Sequence, residues 1–366
     1  MYAGKDPLTG KQRYLNGTAA TEKEAEKLRT QLLSQADAGK RPSTRRTVAE
    51  IIEAWLEVAE LEATTRHSYD AYIRRHILPA LGKLPPKKVD VEILERFYAR
   101  LRKAGGKGGR PMANSSVRQV HFILRSALGQ AVKWGWLNEN PAVLASPPRL
   151  ARKEIEPPTL EGVTRLLDVA WQDDADLGTL LWVAIISGVR RGELCGLRWP
   201  RVRLAEGDLV IARNRVQAGS ALVEKDPKRH QIRRIALDEL TVEILTEHHA
   251  RCIERARVCG AELLHDGYVF SSEVDGSAAL NPQTVTRRIQ RVARKAGVSA
   301  DPRRLRHFMG TTMLTEGISD LRTVAGRLGH AGGGATTLGV YTHFLPAPDR
   351  RAAEQLAKRL GSPQRP

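Results

Sequence analysis

Near the C-terminal end of this 366-residue chain a phenol, an imidazole and guanidiniums recur at short intervals. The stretch runs Arg303-Arg304-Leu305-Arg306-His307, then Leu328-Gly329-His330, then Tyr341-Thr342-His343. A phenol among cations can attack phosphorus, because neighbouring positive charge favours the phenolate. Tyr341 is therefore the candidate nucleophile of a phosphodiester-cutting site. A second cationic run lies upstream, Ser187-Gly188-Val189-Arg190-Arg191-Gly192-Glu193-Leu194.

Composition points to the same class of partner. The chain carries 59 Lys and Arg against 41 Asp and Glu, a formal net charge of +18, with a pI near 10.2. Such an excess is the footprint of a protein that displaces the counterions condensed on duplex DNA. Three cysteines, Cys195, Cys252 and Cys259, are too few and too irregularly spaced for a disulfide scaffold or a zinc site. Cys252 and Cys259 fall on one helical face and read as small buried hydrophobes. No metal or other cofactor is implied. The longest apolar run, Leu180 to Ile186, is far shorter than the ~20 residues a bilayer span needs, and no signal peptide is evident. A cytoplasmic protein without membrane contact is expected.

The elements that must position these residues are mainly helical, with a small antiparallel β-sheet. A turn at Asp6-Pro7-Leu8-Thr9-Gly10-Lys11 precedes a polar helix from Thr21 to Ala38, opened by a Thr21/Glu24 capping box. The basic stretch Gly39 to Arg46 reads as a linker. Helical periodicity then recurs at Val48, Ile51, Ile52, Trp55 and Val58, and at Tyr69, Tyr72, Ile73 and Ile77. Pro79, Pro85 and Pro86 punctuate the chain before helices over Val89 to Lys103 and through Val117, Val120, Leu124, Leu128 and Ala131. Gly105 to Arg110 lacks the spacing of a nucleotide-cradling loop and reads as a flexible basic loop. Asn140-Pro141 and Pro147-Pro148 mark a boundary, with a linker from Ala151 to Pro158. Thr159 caps the first helix of the last domain. Strands are expected at Asp208 to Ile211, Arg213 to Gln217, Ala221 to Val223 and Ile232 to Leu237, where β-branched and polar residues alternate. From Leu240 the pattern is helical to the end, closing on an amphipathic helix over Arg350 to Leu360.

Taken together, Arg190 within Gly188 to Leu194, Arg306 in Arg304-Leu305-Arg306-His307, His330 in Leu328-Gly329-His330 and Tyr341 in Tyr341-Thr342-His343 resemble the tyrosine recombinase (phage integrase) family, particularly integrases of phages and integrative elements of high-GC bacteria. Each motif alone is weak; four in this order over about 150 residues are specific. The resemblance implies three parts: a shortened arm-DNA-binding module and linker (1–46), a helical SAM-like core-binding domain (47–150) and a mixed α+β catalytic domain (151–366). It implies a site-specific recombinase that cuts and rejoins duplex DNA through a covalent 3′-phosphotyrosyl link, integrating or excising a phage or mobile element without metal or ATP. Arg190 and Arg306 would fork onto the non-bridging oxygens of the attacked phosphate. His330 would donate to the same phosphate. The family's general acid is a lysine on a turn of the small sheet, which nominates Lys228 within Asp226 to Leu237, with Lys225 as its rival. Glu193 is expected to support Arg190 through a salt bridge, and His307 and His343 to pack behind the site. The implied partners are core and arm attachment sites on duplex DNA, three further protomers in a homotetramer, and an excision factor or host DNA-bending protein. The implied setting is the nucleoid of a bacterial host.

Three departures from the family pattern stand out. Only Met1 to Lys5 precede the Asp-Pro-Leu-Thr-Gly turn, where the family usually has a strand. Gly332-Gly333-Gly334 lengthens the interval between His330 and Tyr341. Arg303 occupies a position where the family usually has histidine, sometimes lysine. A guanidinium whose pKa exceeds ~12 accepts no proton near neutral pH, so Arg303 is assigned to phosphate binding or to lowering the phenol's pKa. A type IB topoisomerase-like strand relaxation and a catalytically silent DNA-binding protein are the alternative functions.

Overall fold

The computed structural model describes residues 2–5, 12–14, 17–37, 46–150, 156–219, 221–225 and 232–330. The turn at 6–11, the linker at 38–45, residues 151–155 and the helix expected over 350–360 lie outside them. The chain divides into two compact units, Met1–Arg152 and Lys153–Pro366.

The first unit begins with β1 (Tyr2–Lys5) paired antiparallel to β2 (Gln12–Tyr14), with Tyr2 opposite Tyr14. The strand counted as missing from the sequence is thus supplied by Tyr2–Lys5. Helix α1 (Glu22–Asp37) follows. Thr47 then starts α2 (Val48–Val58) by a reciprocal cap: the Glu50 N–H donates to Thr47 Oγ1 at 3.3 Å and the Thr47 N–H to Glu50 Oε2 at 2.5 Å. Helix α3 (Ala63–Tyr72) does not stop near Pro79. It runs on as a π-helix, Ile73–Gly82, with Pro79 inside. The wider turn accommodates a residue that has no N–H and whose ring would collide with the i−4 carbonyl of an α-helix. Ile73, Ile77 and Leu81 keep their inward spacing through it. Asp90 caps α4 (Val91–Ala104), and α5 (Asn114–Lys133) crosses the middle of the unit. Between them Lys107–Gly109 forms a short 3-10 turn, closed by a 2.6 Å bond from the Gly106 N–H to the Arg110 carbonyl. After Asn140, α6 (Pro141–Leu144) returns Ala142 to the core that α2, α4 and α5 share.

In the second unit Thr159 caps α7 (Leu160–Asp173) and Asp174 caps α8 (Ala175–Ser187). Apolar side chains of α8 are buried on most sides, so it forms the centre of this unit. The five-residue α9 (Arg191–Cys195) leads to β3 (Val202–Arg203), β4 (Asp208–Ile211), β5 (Asn214–Ala218), β6 (Ala221–Lys225) and β7 (Arg233–Ala236). The single expected sheet is two among the described residues. β3, β4 and β7 form one antiparallel sheet, and β5 pairs with β6 as a separate hairpin. The rest is α10 (Glu239–Val258), α11 (Pro282–Lys295), α12 (Pro302–Thr315) and α13 (Leu321–Leu328). Residues 259–281 are not helical, contrary to the pattern. They are held by bridges such as Arg198 with Tyr268, a long-range pairing that periodicity does not register. Cys195 is buried, whereas Cys252 is half-buried and Cys259, just past α10, is exposed. The two therefore do not form the buried pair expected.

Candidate active site

Two helix ends build the site. α8 ends at Gly188 (φ +60°) and α13 at Gly329 (φ +59°), both in the left-handed conformation that glycine adopts without strain. A Cβ on Gly188 would press on the end of the Met309 side chain and one on Gly329 would lie 2.8 Å from Arg233 Nη1, so a side chain at either place would shift these residues. A terminating helix leaves carbonyls without intrahelical partners at the negative end of its dipole, where cations are stabilised.

Those carbonyls collect the guanidiniums. Arg306, on the first turns of α12, donates from Nη1 to the Gly188 carbonyl and from Nη2 to the Leu328 carbonyl, both at 2.5 Å. Arg190, immediately before α9, donates from Nη2 to the Gly329 carbonyl at 2.8 Å. Its Nη1 pairs with Glu193 Oε1 at 2.9 Å, the expected salt bridge, and its N–H donates to Oε2 at 2.8 Å. A third arginine joins them. Arg233, which opens β7, forks onto Glu193 at 3.1 and 2.7 Å.

The charge state follows from this geometry. The Glu193 side chain is 1 % exposed. Burial alone would raise its pKa, but the hydrogen bond and charge of Arg233, with those of Arg190, hold it below the usual carboxylate range. His330 is pushed down to about 4, first by burial and then by Arg306, Arg190, Arg233 and His307. It is neutral at pH 7. Its Nε2 lies 3.1 Å from Arg306 Nη2, and a guanidinium can only donate, so the network assigns the ring proton to Nδ1. His307 is lowered by burial and by Arg303 and Arg306. Two guanidiniums, Arg190 and Arg233, therefore share the Glu193 carboxylate, and Arg306 lies beside them against a neutral imidazole, a gathering of cations whose field favours an anion.

The structure thus brings Arg190, Arg306 and His330 together. Arg303 stands exposed on the first turn of α12, where it lines the same cleft with Arg190, Arg191, Gln290 and Arg306. Lys225 ends β6 opposite Asn214. Tyr341, Lys228, Gly332 to Gly334 and His343 lie outside the described residues. Arg233 was not singled out from the sequence. Strand parity could have found it, since it lies two residues before the buried Ile235 and so shares its face.

Known proteins share both the sequence and the fold. The sequence model of the phage integrase family matches residues 159–347, and that of the phage integrase N-terminal SAM-like domain matches 47–102. The ICEBs1 integrase of Bacillus subtilis is 24% identical over 360 residues, covering 96% of this chain and 94% of its own. A XerC-like tyrosine recombinase of Caldanaerobacter subterraneus is 25% identical, covering 85% and 82%. Among solved structures, the Tn1549 transposon integrase in complex with transposon right end DNA superposes with a TM-score of 0.70 at 16% identity, covering 85% of this chain and 99% of that one. The lambda integrase tetramer bound to a Holliday junction gives 0.60 at 17% identity, covering 91% and 90%. With the family model matching more than half of its residues, the chain belongs to the phage integrase family and is a tyrosine site-specific recombinase.

Proposed function

We propose that Tyr341 cuts duplex DNA and that the Arg190, Arg306 and His330 cluster holds the phosphate it attacks. The phenolate oxygen of Tyr341 bonds to phosphorus, the bond from phosphorus to the 5′-oxygen breaks, and Lys228 gives that oxygen its proton. A second 5′-hydroxyl reverses the step, so the phosphodiester energy is conserved. Arg190 and Arg306 carry the extra negative charge of the five-coordinate phosphorus, and His330 donates to the same phosphate from its protonated nitrogen. Arg303, at the edge of the cleft, favours the phenolate through its charge instead of taking the proton.

The observation that carries this reading is the convergence of the Arg190, Arg233 and Arg306 guanidiniums beside a neutral His330. Residues 1–46 serve as an arm-site module, 47–150 as the core-binding domain and 151–366 as the catalytic domain. Relatives crystallised on DNA, one as a tetramer on a Holliday junction, support duplex DNA as partner and four protomers on two sites. The ICEBs1 relative supports a mobile element as the setting, and an excision factor or host bending protein completes the proposed set of partners. A nicked suicide substrate that traps the cut strand tests the chemistry. A covalent adduct that disappears in Tyr341→Phe is expected; a wild-type protein that binds its site without forming one refutes it.

A further inference from the structure

Arg233 is the most enclosed guanidinium of the cluster, its side chain 9% exposed. Its contacts run in two directions. Nη1 and Nη2 take both oxygens of Glu193, the carboxylate that holds Arg190, while Nε donates to the Arg327 carbonyl at 3.0 Å, within the last turn before His330. Gly329 approaches so closely that a Cβ there would meet this guanidinium. Arg233 also starts β7, the strand entered from the 226–231 connection on which Lys228 lies. Burying a third guanidinium beside Arg190 and Arg306 costs desolvation and repulsion that the pair with Glu193 only offsets, and an apolar pair at 193 and 233 together would incur neither cost. Stability alone does not account for an arginine here.

We propose that Arg233 is a positioning residue: by holding Glu193 and the end of α13 at once, it sets Arg190 and His330 on one phosphate and anchors the strand that follows Lys228. The inference rests on the cleavage chemistry proposed above.

The test uses the full chain as Arg233→Ala and Arg233→Lys. It reads DNA affinity in a Tyr341→Phe background and the single-turnover rate of adduct formation on the nicked substrate with Tyr341 intact. Affinity is expected within about 3-fold of the parent, while the adduct rate falls about 100-fold for alanine and about 10-fold for lysine, which cannot fork onto a carboxylate. The His330 ring, followed by NMR, separates charge from geometry: its midpoint should rise in Arg233→Ala and stay near the parent value in Arg233→Lys, which keeps the charge and loses only the fork. The ring is faced by Arg306 and His307 of α12, Arg190 before α9 and Arg233 of β7, so losing one of these cations raises its titration midpoint.

Should Arg233→Ala fail to fold, Glu193→Gln with Arg233→Met removes both buried charges together, and its adduct rate is still expected at least about 30-fold down. A rate within about 3-fold of wild type in a folded variant overturns the inference, as does a matching loss of affinity or a His330 midpoint unmoved in Arg233→Ala. A wild-type protein that forms no Tyr341-dependent adduct sinks the underlying chemistry instead, an outcome distinct from any of these.

Discussion

The 153–366 unit holds two clusters made of the same parts, a histidine, a carboxylate and arginines, and they reach opposite charge states. At the candidate active site His330 is neutral and the arginines outnumber their carboxylate. Across α8, His248 of α10 is 2% exposed, with Nδ1 3.1 Å from Asp176 Oδ1 and Nε2 2.8 Å from the Val269 carbonyl. Both of its nitrogens face acceptors, so both carry protons. Burial alone would lower His248; the hydrogen bonds to Asp176, Cys252 and Val269 outweigh it and push it up to about 9. Asp176, despite its own burial, is held far below the usual carboxylate range by His248 and Arg255. One cluster closes on itself and binds elements together. The other gathers three guanidiniums around one buried carboxylate and a neutral imidazole, and that difference in charge is what the variants below test.

The largest effects should come from unbalancing each cluster in turn. Arg306→Ala is expected to slow adduct formation by about 10²–10³-fold, as the loss of a charge-stabilising donor does elsewhere, with a far smaller effect on the urea midpoint, since only hydrogen bonds to the Gly188 and Leu328 carbonyls are lost. A variant that unfolds readily but cleaves normally per folded molecule would make Arg306 a structural residue. Asp176→Ala should do the reverse. It strands His248 and Arg255 without their carboxylate and costs about 3–5 kcal/mol in urea denaturation, while the adduct rate of the folded fraction holds.

Stability against pH sharpens the contrast, since the two histidines act on opposite sides of neutrality. His248 is raised, so its contribution is complete below its unfolded value near 6.5 and is lost as pH rises through about 9. Over that window it amounts to about 3 kcal/mol at most. His330 is lowered, so between about 4 and 6.5 the unfolded chain binds the extra proton and stability falls as pH falls. Urea unfolding at several pH values should show His248→Gln flattening the alkaline limb and His330→Gln the acidic one. If either variant flattened the other's limb, the assignment of charge states would be wrong.

How far these clusters are legible in the sequence depends on how local their causes are. Arg190, Arg306 and His330 stood out because each lies in a short motif, and Gly188 and Gly329 announce the helix ends that gather them. Arg233 showed only as one of several arginines in a strand, because its importance comes from Glu193, forty residues earlier. His248 gave no signal for the same reason: its partner Asp176 sits on another helix. Strands β4 to β7 were visible from alternation, whereas β1, β2 and β3 were not, and neither was the split of β3 to β7 into two sheets, since β4 pairs with β7 across the intervening hairpin.

The smallest expected effect lies at the rim of the cationic cluster, and it asks whether the surplus charge does the work of a base. Arg303 lines the cleft and cannot accept a proton near neutral pH. Arg303→His removes a permanent charge and offers an imidazole that can take the phenolic proton. The charge of Arg306, which with burial and Arg303 lowers the neighbouring His307, should also hold the new ring below its ordinary value. The adduct rate is then expected to change by no more than about 10-fold near pH 7.5, with a new acidic limb as the imidazole protonates and stops accepting. An unchanged rate and pH profile would show that proton transfer does not pass through position 303. A rate lost at every pH would show instead that the fixed charge of Arg303 is what holds Tyr341 as a phenolate.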